Sequence, residues 1–456
     1  MPEVILLQRI KMQEFVCMIK NNKFMHAMVI YFFVVGALWL FLIGTATIPN
    51  EAIKENMKSS SLVVGKADAF AYMDGNKMNG IADNYADSIW INVAWFMGKG
   101  NSVKSSINTG YYDGEGAGQN IGLYQAVTEE VTEPNVEYAR YWHGTAGVIR
   151  VMHLITDVEG LRYIGFCIIL ALAAVIMILL IREQKDGVAI AFFLSLCAIK
   201  IWNLRLSMEY QPAFVIGFLM CILYLLLEKK GNDSLDFLAV VAGTGIAFFD
   251  FLTTETVVIL LPLILVITVR ALDERIGTWK ENLRFLVGQG VIWFLSYGAT
   301  IAMKACLLSF ITGENKLFSS INHAKERVNG TVVVGENSGN LHQSLAAVAT
   351  NLSMLFGGTK RIQLLPVLMG CVLLVFFCVI TMLCLWKGMK EKKVATACLF
   401  FLGILILLRY MILSNHSYLH AFFTYRGLVC LIMATYSIVL LSMNGMKNSV
   451  KKDKKN

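Results

Sequence analysis

Long stretches of apolar residues constrain this chain more than any other feature of its sequence. Several extend for about 18 residues or more with few or no charges, the length that a helix needs to cross the hydrocarbon core of a bilayer. Hydrophobic residues make up 56% of the 456 positions and charged residues only 16%, whereas an average soluble domain carries about 25% charge. The sequence therefore predicts an all-α polytopic membrane protein.

About ten transmembrane helices are predicted, and counts of nine or eleven also fit the pattern. Their ranges are 28–48, 161–181, 187–202, 211–227, 236–252, 256–272, 285–303, 364–386, 394–413 and 421–443. The fifth and sixth are separated only by Thr253, Thr254 and Glu255. This spacing fits a helical hairpin, a broken helix or a re-entrant pair.

The basic residues predict how the chain is oriented in the membrane. Lys and Arg cluster before the first span, in alternate connectors and in the C-terminal tail, which places these segments and both termini in the cytoplasm. The net charge of +8 therefore needs no nucleic acid as a partner. The predicted order is a basic tail (1–27), the first span (28–48), an outer loop with catalytic and interfacial helices (49–160), spans two to seven (161–303), a second outer loop (304–363), spans eight to ten (364–443) and a basic tail (444–456).

The inner connectors and the cysteines exclude several function classes. The inner connectors are short and contain no Gly-rich phosphate cradle, which argues against an ATP-driven pump and against a transferase that uses cytosolic nucleotide sugars. Most of the ten cysteines lie in apolar spans, where Cys behaves as a small hydrophobic residue. No CxxC pair or Cys/His cluster indicates a zinc site.

The predicted outer loop contains two helical patterns. Tyr85 to Phe96 has apolar residues at helical spacing, and 101–120 is rich in Gly, Ser and Asn, which predicts a flexible excursion. Val136 to Ile155 is amphipathic. We expect it to form a helix in the membrane interface, with Tyr141 and Trp142 at headgroup depth.

Asp83 and Asp87 are four residues apart at the start of the first of these helices, so both fall on one helix face. A carboxylate beside the membrane can act as a general base that takes the proton of an acceptor hydroxyl. The alternative is structural, with Asp83 capping the helix and Asp87 facing solvent. We favour Asp87 as the base because it leads directly into the apolar part of the helix.

Arg140 and His143 lie beside the aromatic pair Tyr141 and Trp142. A guanidinium at this depth can bind a phosphate through two parallel hydrogen bonds. It can also snorkel from an aromatic belt towards lipid headgroups. The sequence leaves both roles open.

Asp250 and Glu255 lie at the outer end of the two abutting spans. Acids at such depth are costly and are functional candidates by default, and we count Glu255 among the candidate substrate-binding residues. The alternative is that both acids cap a helix and pair with Arg205 or Lys304.

His416, His420 and Arg426 occur close together around the short connector before the last span. Imidazole and guanidinium groups together can neutralise the charge that develops on a leaving phosphate. The two histidines, at helical spacing, could instead supply half of a metal site.

These segments resemble the integral-membrane glycosyltransferases of the GT-C fold, which take a sugar from a polyprenyl-phosphate donor on the outer or lumenal face. The layout is similar, with a first span, a large first outer loop carrying an acid and interfacial helices, and a second outer loop. Three short motifs look like a bacterial branch of the group: Tyr85-Ala86-Asp87, Tyr138-Ala139-Arg140-Tyr141-Trp142-His143-Gly144, and Asn415-His416-Ser417-Tyr418-Leu419-His420 with Thr424-Tyr425-Arg426.

The resemblance implies an inverting transfer with Asp87, or else Asp83, as the base. The residues implied to hold the lipid phosphate are Arg140, His143, His416, His420 and Arg426. The implied partners are a polyprenyl-phosphate-linked sugar donor, a glycan or lipid acceptor and membrane lipids. No cofactor is implied with certainty, and a divalent cation is left open.

Two other functions compete with this interpretation. A carrier of lipid-linked sugars should have polar residues through the middle of the membrane, whereas this chain concentrates them on the outer side. A polysaccharide polymerase or ligase would use a similar Arg- and His-rich outer site. We predict a multi-pass protein of a bacterial plasma membrane, with its active site on the outer face.

Overall fold

The computed structural model describes residues 23–129, 131–316, 340–359, 363–387 and 390–453. Most of the predicted N-terminal tail, the middle of the predicted second outer loop with His323, and residues 454–456 lie outside these ranges. The structure is 79% helical with almost no sheet. Seven helices among the described residues are long and apolar enough to cross a membrane, so the all-α membrane class is confirmed, while the count of ten stays a prediction.

The helices fall into two groups along the chain. The first group is α1 (Lys23–Ala46), α2 (Asn50–Lys66), α3 (Asn84–Met97), α4 (Ser102–Ile107), α5 (Gln119–Thr128) and α6 (Gly144–Met152). The second group is α7 (Val158–Arg182), α8 (Asp186–Ala198), α9 (Pro212–Leu227), α10 (Asn232–Phe249), α11 (Val257–Leu272), α12 (Trp279–Thr312), α13 (Asn340–Leu355), α14 (Leu364–Lys387), α15 (Lys390–Ile412), α16 (Ser414–Leu419), α17 (Ala421–Thr424) and α18 (Val429–Asp453). Single 3-10 turns are Met78–Gly80, Ile201–Leu206, Met208–Tyr210, Glu228–Lys230 and Tyr425–Leu428.

All ten predicted spans are mainly helical. The seven helices that are long and apolar enough to span are α1, α7, α9 with its flanking turns, α12, α14, α15 and α17 continued into α18. α8 and α11 are apolar but shorter. The helix α11 lies in the middle of the bundle, because nearly all its side chains are buried against neighbouring helices.

The segment between α1 and α7 folds into a small unit, here called the loop unit (47–157). It contains α2 to α6 and two antiparallel strand pairs, which are β1 (Phe70–Tyr72) with β2 (Ile81–Asp83) and β3 (Gly110–Tyr111) with β4 (Val136–Glu137). The predicted helix from Tyr85 to Phe96 is confirmed as α3. The stretch 101–120, expected to be a flexible excursion, contains α4 and β3.

The predicted amphipathic helix from Val136 to Ile155 is wrong in its first half. Residues 136–137 pair with β3, and Tyr138 continues this pairing by donating its N–H to the Thr109 carbonyl (2.9 Å). His143 has a left-handed backbone (φ 58°), and the helix begins only after it. Pairing with a distant strand therefore overrides the helical pattern. The sequence alone could not reveal this pairing.

Three side chains fasten the loop unit to the membrane helices. Arg150 is fully buried and donates to the Thr45 carbonyl at the end of α1 (2.9 Å) and to the Ala94 carbonyl in α3 (2.6 Å). Trp142 Nε1 donates to the Thr300 carbonyl in α12 (2.7 Å). Lys304 in α12 reaches back to the Ile107 carbonyl (2.5 Å). These bonds fix the position of β2 and α3, which carry both candidate bases.

The junction between α10 and α11 is a sharp turn rather than a continuous helix. The Asp250 carboxylate closes it by accepting hydrogen bonds from the Thr253 N–H (2.8 Å) and hydroxyl (2.5 Å). Leu252 has a positive φ of 68°, an uncommon conformation for a residue with a side chain. The two predicted spans are therefore two separate helices joined by this turn.

Candidate functional site

Asp83 ends β2 and caps α3, where its Oδ1 accepts a hydrogen bond from the Ala86 N–H (2.9 Å). Only 3% of the residue is exposed. Burial raises the pKa of the Asp83 carboxyl to about 7, the Ala86 N–H opposes this, and the negative charge of Asp87 adds to it. Asp83 therefore has the predicted capping role and can also exchange a proton near neutral pH.

Asp87 is fully buried, and both its carboxylate oxygens have donors. Arg162 Nε donates to Oδ2 (2.6 Å). Ser207 Oγ and the Met208 N–H donate to Oδ1 (2.7 and 3.0 Å). Arg162 also donates to Asn84 Oδ1 (2.8 Å). Asp87 thus joins α3 to α7 and to the turn that follows α8, instead of facing solvent as its structural alternative predicted.

Glu209 belongs to the site although we did not select it from the sequence. It lies in the 3-10 turn before α9, and its side chain has a hydrogen-bonding interaction with Asp83. Its Oε2 is buried and has no hydrogen-bond partner among the described residues. The available signal was an acid at the predicted outer end of a span, which is costly without a partner or a function.

Arg426 contacts Tyr210, the residue that follows Glu209. It is 1% exposed, and its guanidinium lies over the Tyr210 ring, 4.2 Å from the ring centroid. Nη1 donates to the Phe422 carbonyl (3.2 Å), whereas Nε and Nη2 are buried without a partner in the described part of the chain. Tyr210 interacts electrostatically with Asp83, Glu209 and Arg426. The structure therefore brings together two residues that lie far apart in sequence, Asp83 and Arg426.

Arg140 approaches the same region from the loop unit. Its guanidinium lies over the Tyr138 and Tyr141 rings, 4.7 and 5.2 Å from their centroids. Arg140 Nε is buried and unpaired among the residues described. Tyr85, the residue after the start of α3, interacts electrostatically with both Asp83 and Arg140. Tyr85 thus interacts with Asp83 and Arg140, as Tyr210 does with Asp83 and Arg426.

His143 is buried, and its Nε2 donates to the Tyr138 carbonyl (2.6 Å). Burial, with the nearby positive charge of Lys304, lowers the pKa of His143 to about 3. The imidazole is therefore neutral at physiological pH and supplies no positive charge to a phosphate. Its ring packs against Phe251, 5.1 Å between centroids, so it supports the turn after α10.

Glu255 forms a buried ion pair with Arg409, whose Nε and Nη2 donate to its two oxygens (3.0 and 2.9 Å). The partner is therefore Arg409, and the predicted pairing with Arg205 or Lys304 is wrong. Arg409 Nη2 also donates to the Leu252 carbonyl (2.8 Å), which accepts a second bond from His416 Nε2 (2.8 Å). Glu255 and His416 both hold the turn between α10 and α11.

His420 lies beside His416, with 4.7 Å between the ring centroids, and stacks on Phe423. The Phe423 ring is 6.1 Å from that of Tyr210, so His420 borders the region of Arg426. Among the residues that the structure describes, no group of three or more His, Cys, Asp or Glu side chains could hold a metal ion.

No family model, curated protein or solved structure matches this chain. The candidate site is therefore defined by its own residues. A carboxyl with a pKa near neutrality can take a proton from a hydroxyl, and a buried guanidinium with free N–H groups can bind a phosphate. A proton acceptor and an anion-binding group in one buried region suit the transfer of a group from a phosphate to a hydroxyl.

Proposed function

We propose that this protein is a membrane glycosyltransferase that moves a sugar from a polyprenyl-phosphate-linked donor to an acceptor hydroxyl. One observation supports it above all: the Asp83 carboxyl and the Arg426 guanidinium, whose Nε and Nη2 are buried without a hydrogen-bond partner among the described residues, both interact with Tyr210. The resemblance of the sequence to GT-C glycosyltransferases agrees with this chemistry. The acceptor is a glycan or a lipid of the cell envelope.

Asp83, rather than Asp87, is the proposed base. The Asp87 oxygens are held by Arg162 and by the turn before α9, so taking a proton would break a buried ion pair. Burial raises the pKa of Asp83 to about 7, which makes it a stronger base than an ordinary carboxylate. A base works best when its pKa is near the working pH.

The proposed reaction is a single displacement. The acceptor oxygen attacks the anomeric carbon while its proton moves to the Asp83 carboxylate. The bond between that carbon and the phosphate oxygen breaks, and the electron pair stays on the lipid phosphate. Arg426 binds this phosphate, with Arg140 as a second cation, and their charges stabilise the negative charge that develops.

The remaining candidates have supporting roles in the proposal. His420 borders the phosphate region, whereas His143, His416 and Glu255 shape the turn between α10 and α11 that faces it. The protein is proposed to cross a plasma membrane ten times, with both termini in the cytoplasm. The loop unit and the site then lie at the outer face.

The proposal is tested with purified protein in lipid, supplied with polyprenyl-phosphate hexoses and pentoses. Release of polyprenyl phosphate is measured for wild type, for Asp83→Asn and for Asp74→Asn, an exposed acid on the β1–β2 turn. Loss of a general base should slow release on the order of 100-fold in Asp83→Asn, and Asp74→Asn should match wild type. Because the base must be ionised, the wild-type rate should rise as pH increases through about 7.

Undiminished release by Asp83→Asn would contradict its role as the base. A folded wild-type protein that releases lipid phosphate from none of these donors would rule out the transferase. The polymerase or ligase, which joins lipid-linked oligosaccharides, and the carrier are then the functions to test.

A further inference from the structure

The turn before α9 holds Glu209 against Asp83. The Glu209 N–H bonds to Ser207 Oγ (3.1 Å), and Ser207 Oγ in turn donates to Asp87 Oδ1 (2.7 Å). The neighbouring Met208 N–H also donates to Asp87. The ion pair of Asp87 with Arg162 therefore fixes the turn, and the turn fixes where the Glu209 carboxyl lies.

The charged groups around Asp83 and Glu209 do not neutralise both carboxylates. On α3, Asp87 adds a negative charge that Arg162 of α7 already balances. Asp250 after α10 adds another negative charge. Arg426 interacts with Tyr210 but donates no hydrogen bond to either carboxyl among the described contacts.

Both carboxyls of the pair are shielded from water, with 3% of Asp83 and 7% of Glu209 exposed. Two neighbouring carboxylates in such surroundings cannot both be ionised, since their mutual repulsion is not screened and neither is fully hydrated. No donor among the described residues reaches the buried Oε2 of Glu209, so a negative charge on this carboxyl would lack a hydrogen bond at that oxygen. The two groups then titrate as a pair rather than independently.

We infer that Asp83 and Glu209 form a proton-binding pair that holds one proton, carried by Glu209 and donated in a hydrogen bond to Asp83. The hydrogen bond keeps Asp83 as the anion. The proton pair itself is independent of the proposed function, but its role in readying the base rests on that function. During transfer the acceptor proton moves to Asp83, so the pair then carries two protons and must release one before the next turnover. Glu209 is thus a positioning residue that acts through Asp83.

Infrared spectroscopy of the protein in lipid tests the pair directly, because a protonated carboxyl has a C=O stretching band that a carboxylate lacks. The protein is labelled with carbon-13 at the side-chain carboxyl of either glutamate or aspartate. We expect a band at neutral pH that shifts with labelled glutamate. The other buried glutamates of the described chain, Glu228 and Glu255, are paired with arginines and should not contribute.

The variants assign the band. It should disappear in Glu209→Gln, shift in frequency in Asp83→Asn and stay unchanged in the control Asp74→Asn. The absence of a glutamate band from the wild-type spectrum at neutral pH would overturn the inference. This measurement is decisive because the wild-type protein carries no substitution that could disturb its folding. A band that persists in Glu209→Gln would also overturn the inference. So would a glutamate band that is present in choline buffer and absent in sodium buffer, because a sodium ion rather than a proton would then occupy the site.

This experiment separates the inference from the proposed function because it needs no donor. A glutamate band together with no release from any donor would leave the proton pair in place and refute the transferase. Release of lipid phosphate that collapses in Asp83→Asn, with no glutamate band in the wild-type spectrum, would support the transferase and refute the proton pair. If both hold, the pH at which the release rate rises should differ between Glu209→Gln and wild type, because the Gln amide cannot titrate.

Discussion

Asp83 and Asp87 are one helical turn apart, yet their surroundings give them different chemistry. Asp83 caps α3 through one backbone N–H and is otherwise buried, and burial, together with the negative charge of Asp87, raises its pKa to about 7. Asp87 receives a guanidinium, a hydroxyl and a backbone N–H. A carboxylate with so many donors is bound into the structure, whereas Asp83 is the proposed base.

This difference predicts opposite effects on stability for two matched substitutions. In Asp87→Asn the partly buried charge of Arg162 loses its partner, which costs about 3 kcal/mol. In Asp83→Asn the helix cap survives because Asn caps helices as well as Asp does. Thermal unfolding in detergent should therefore show a clearly lower Tm for Asp87→Asn only.

A Tm for Asp87→Asn equal to that of Asp83→Asn would contradict the structural role of the ion pair. The same comparison is a folding control for the release assay that tests the proposed function. Loss of release in Asp87→Asn alone would reflect unfolding rather than the missing base.

At the scale of the elements, the turn between α10 and α11 depends on residues from a distant helix. Arg409 in α15 pairs with Glu255 and donates to the Leu252 carbonyl, and His416 donates to the same carbonyl. These bonds satisfy the backbone carbonyl of Leu252, the residue of the turn that has a positive φ. The turn and the connector between α15 and α18 therefore form one unit beside the candidate site.

Arg409→Gln should destabilise the protein by about 3–5 kcal/mol, because Glu255 is then a buried charge without its partner. The double variant Arg409→Gln/Glu255→Gln should recover part of this loss, since no uncompensated charge remains. Thermal unfolding of the two single variants and the double variant gives the coupling between the two sites. Effects of the two substitutions that simply add would show that the pair is not coupled.

At the scale of the whole molecule, the loop unit is attached to membrane helices from both ends of the chain. Arg150 attaches it to α1, and Trp142 and Lys304 attach it to α12. Its β1–β2 turn packs on α13, where Asn79 Nδ2 donates to the Met354 carbonyl (2.6 Å). The unit therefore lies against the ends of several helices. This arrangement lets Tyr210 interact with both Asp83 and Arg426, which are more than three hundred positions apart in the chain.

The proposed orientation predicts which surfaces a membrane-impermeant maleimide can reach in intact cells. In a cysteine-free background, Ala117→Cys in the loop unit should be labelled from outside. Lys230→Cys, equally exposed but at the other end of α9, should be labelled only after the membrane is permeabilised. Labelling of Lys230→Cys in intact cells, with Ala117→Cys protected, would reverse the topology and place the site in the cytoplasm.

The sequence by itself determined the membrane class, the approximate positions of the long apolar helices and the helix at whose start both candidate bases lie. Each rests on local information, because the length of an apolar stretch and the spacing of residues along one helix need no distant partner. The candidate residues Asp83, Arg140 and Arg426 were also evident as costly polar groups near a membrane.

Only the tertiary structure decided what each polar residue does. The pairing of Asp87 with Arg162, of Glu255 with Arg409 and of Asp83 with Glu209 joins segments that are far apart in the sequence. The protonation of a carboxyl and the charge of an imidazole depend on burial and on the nearest charges, which no local pattern encodes. For the same reason β4 replaced the first half of a predicted helix, since a strand is stabilised by a partner strand elsewhere in the chain.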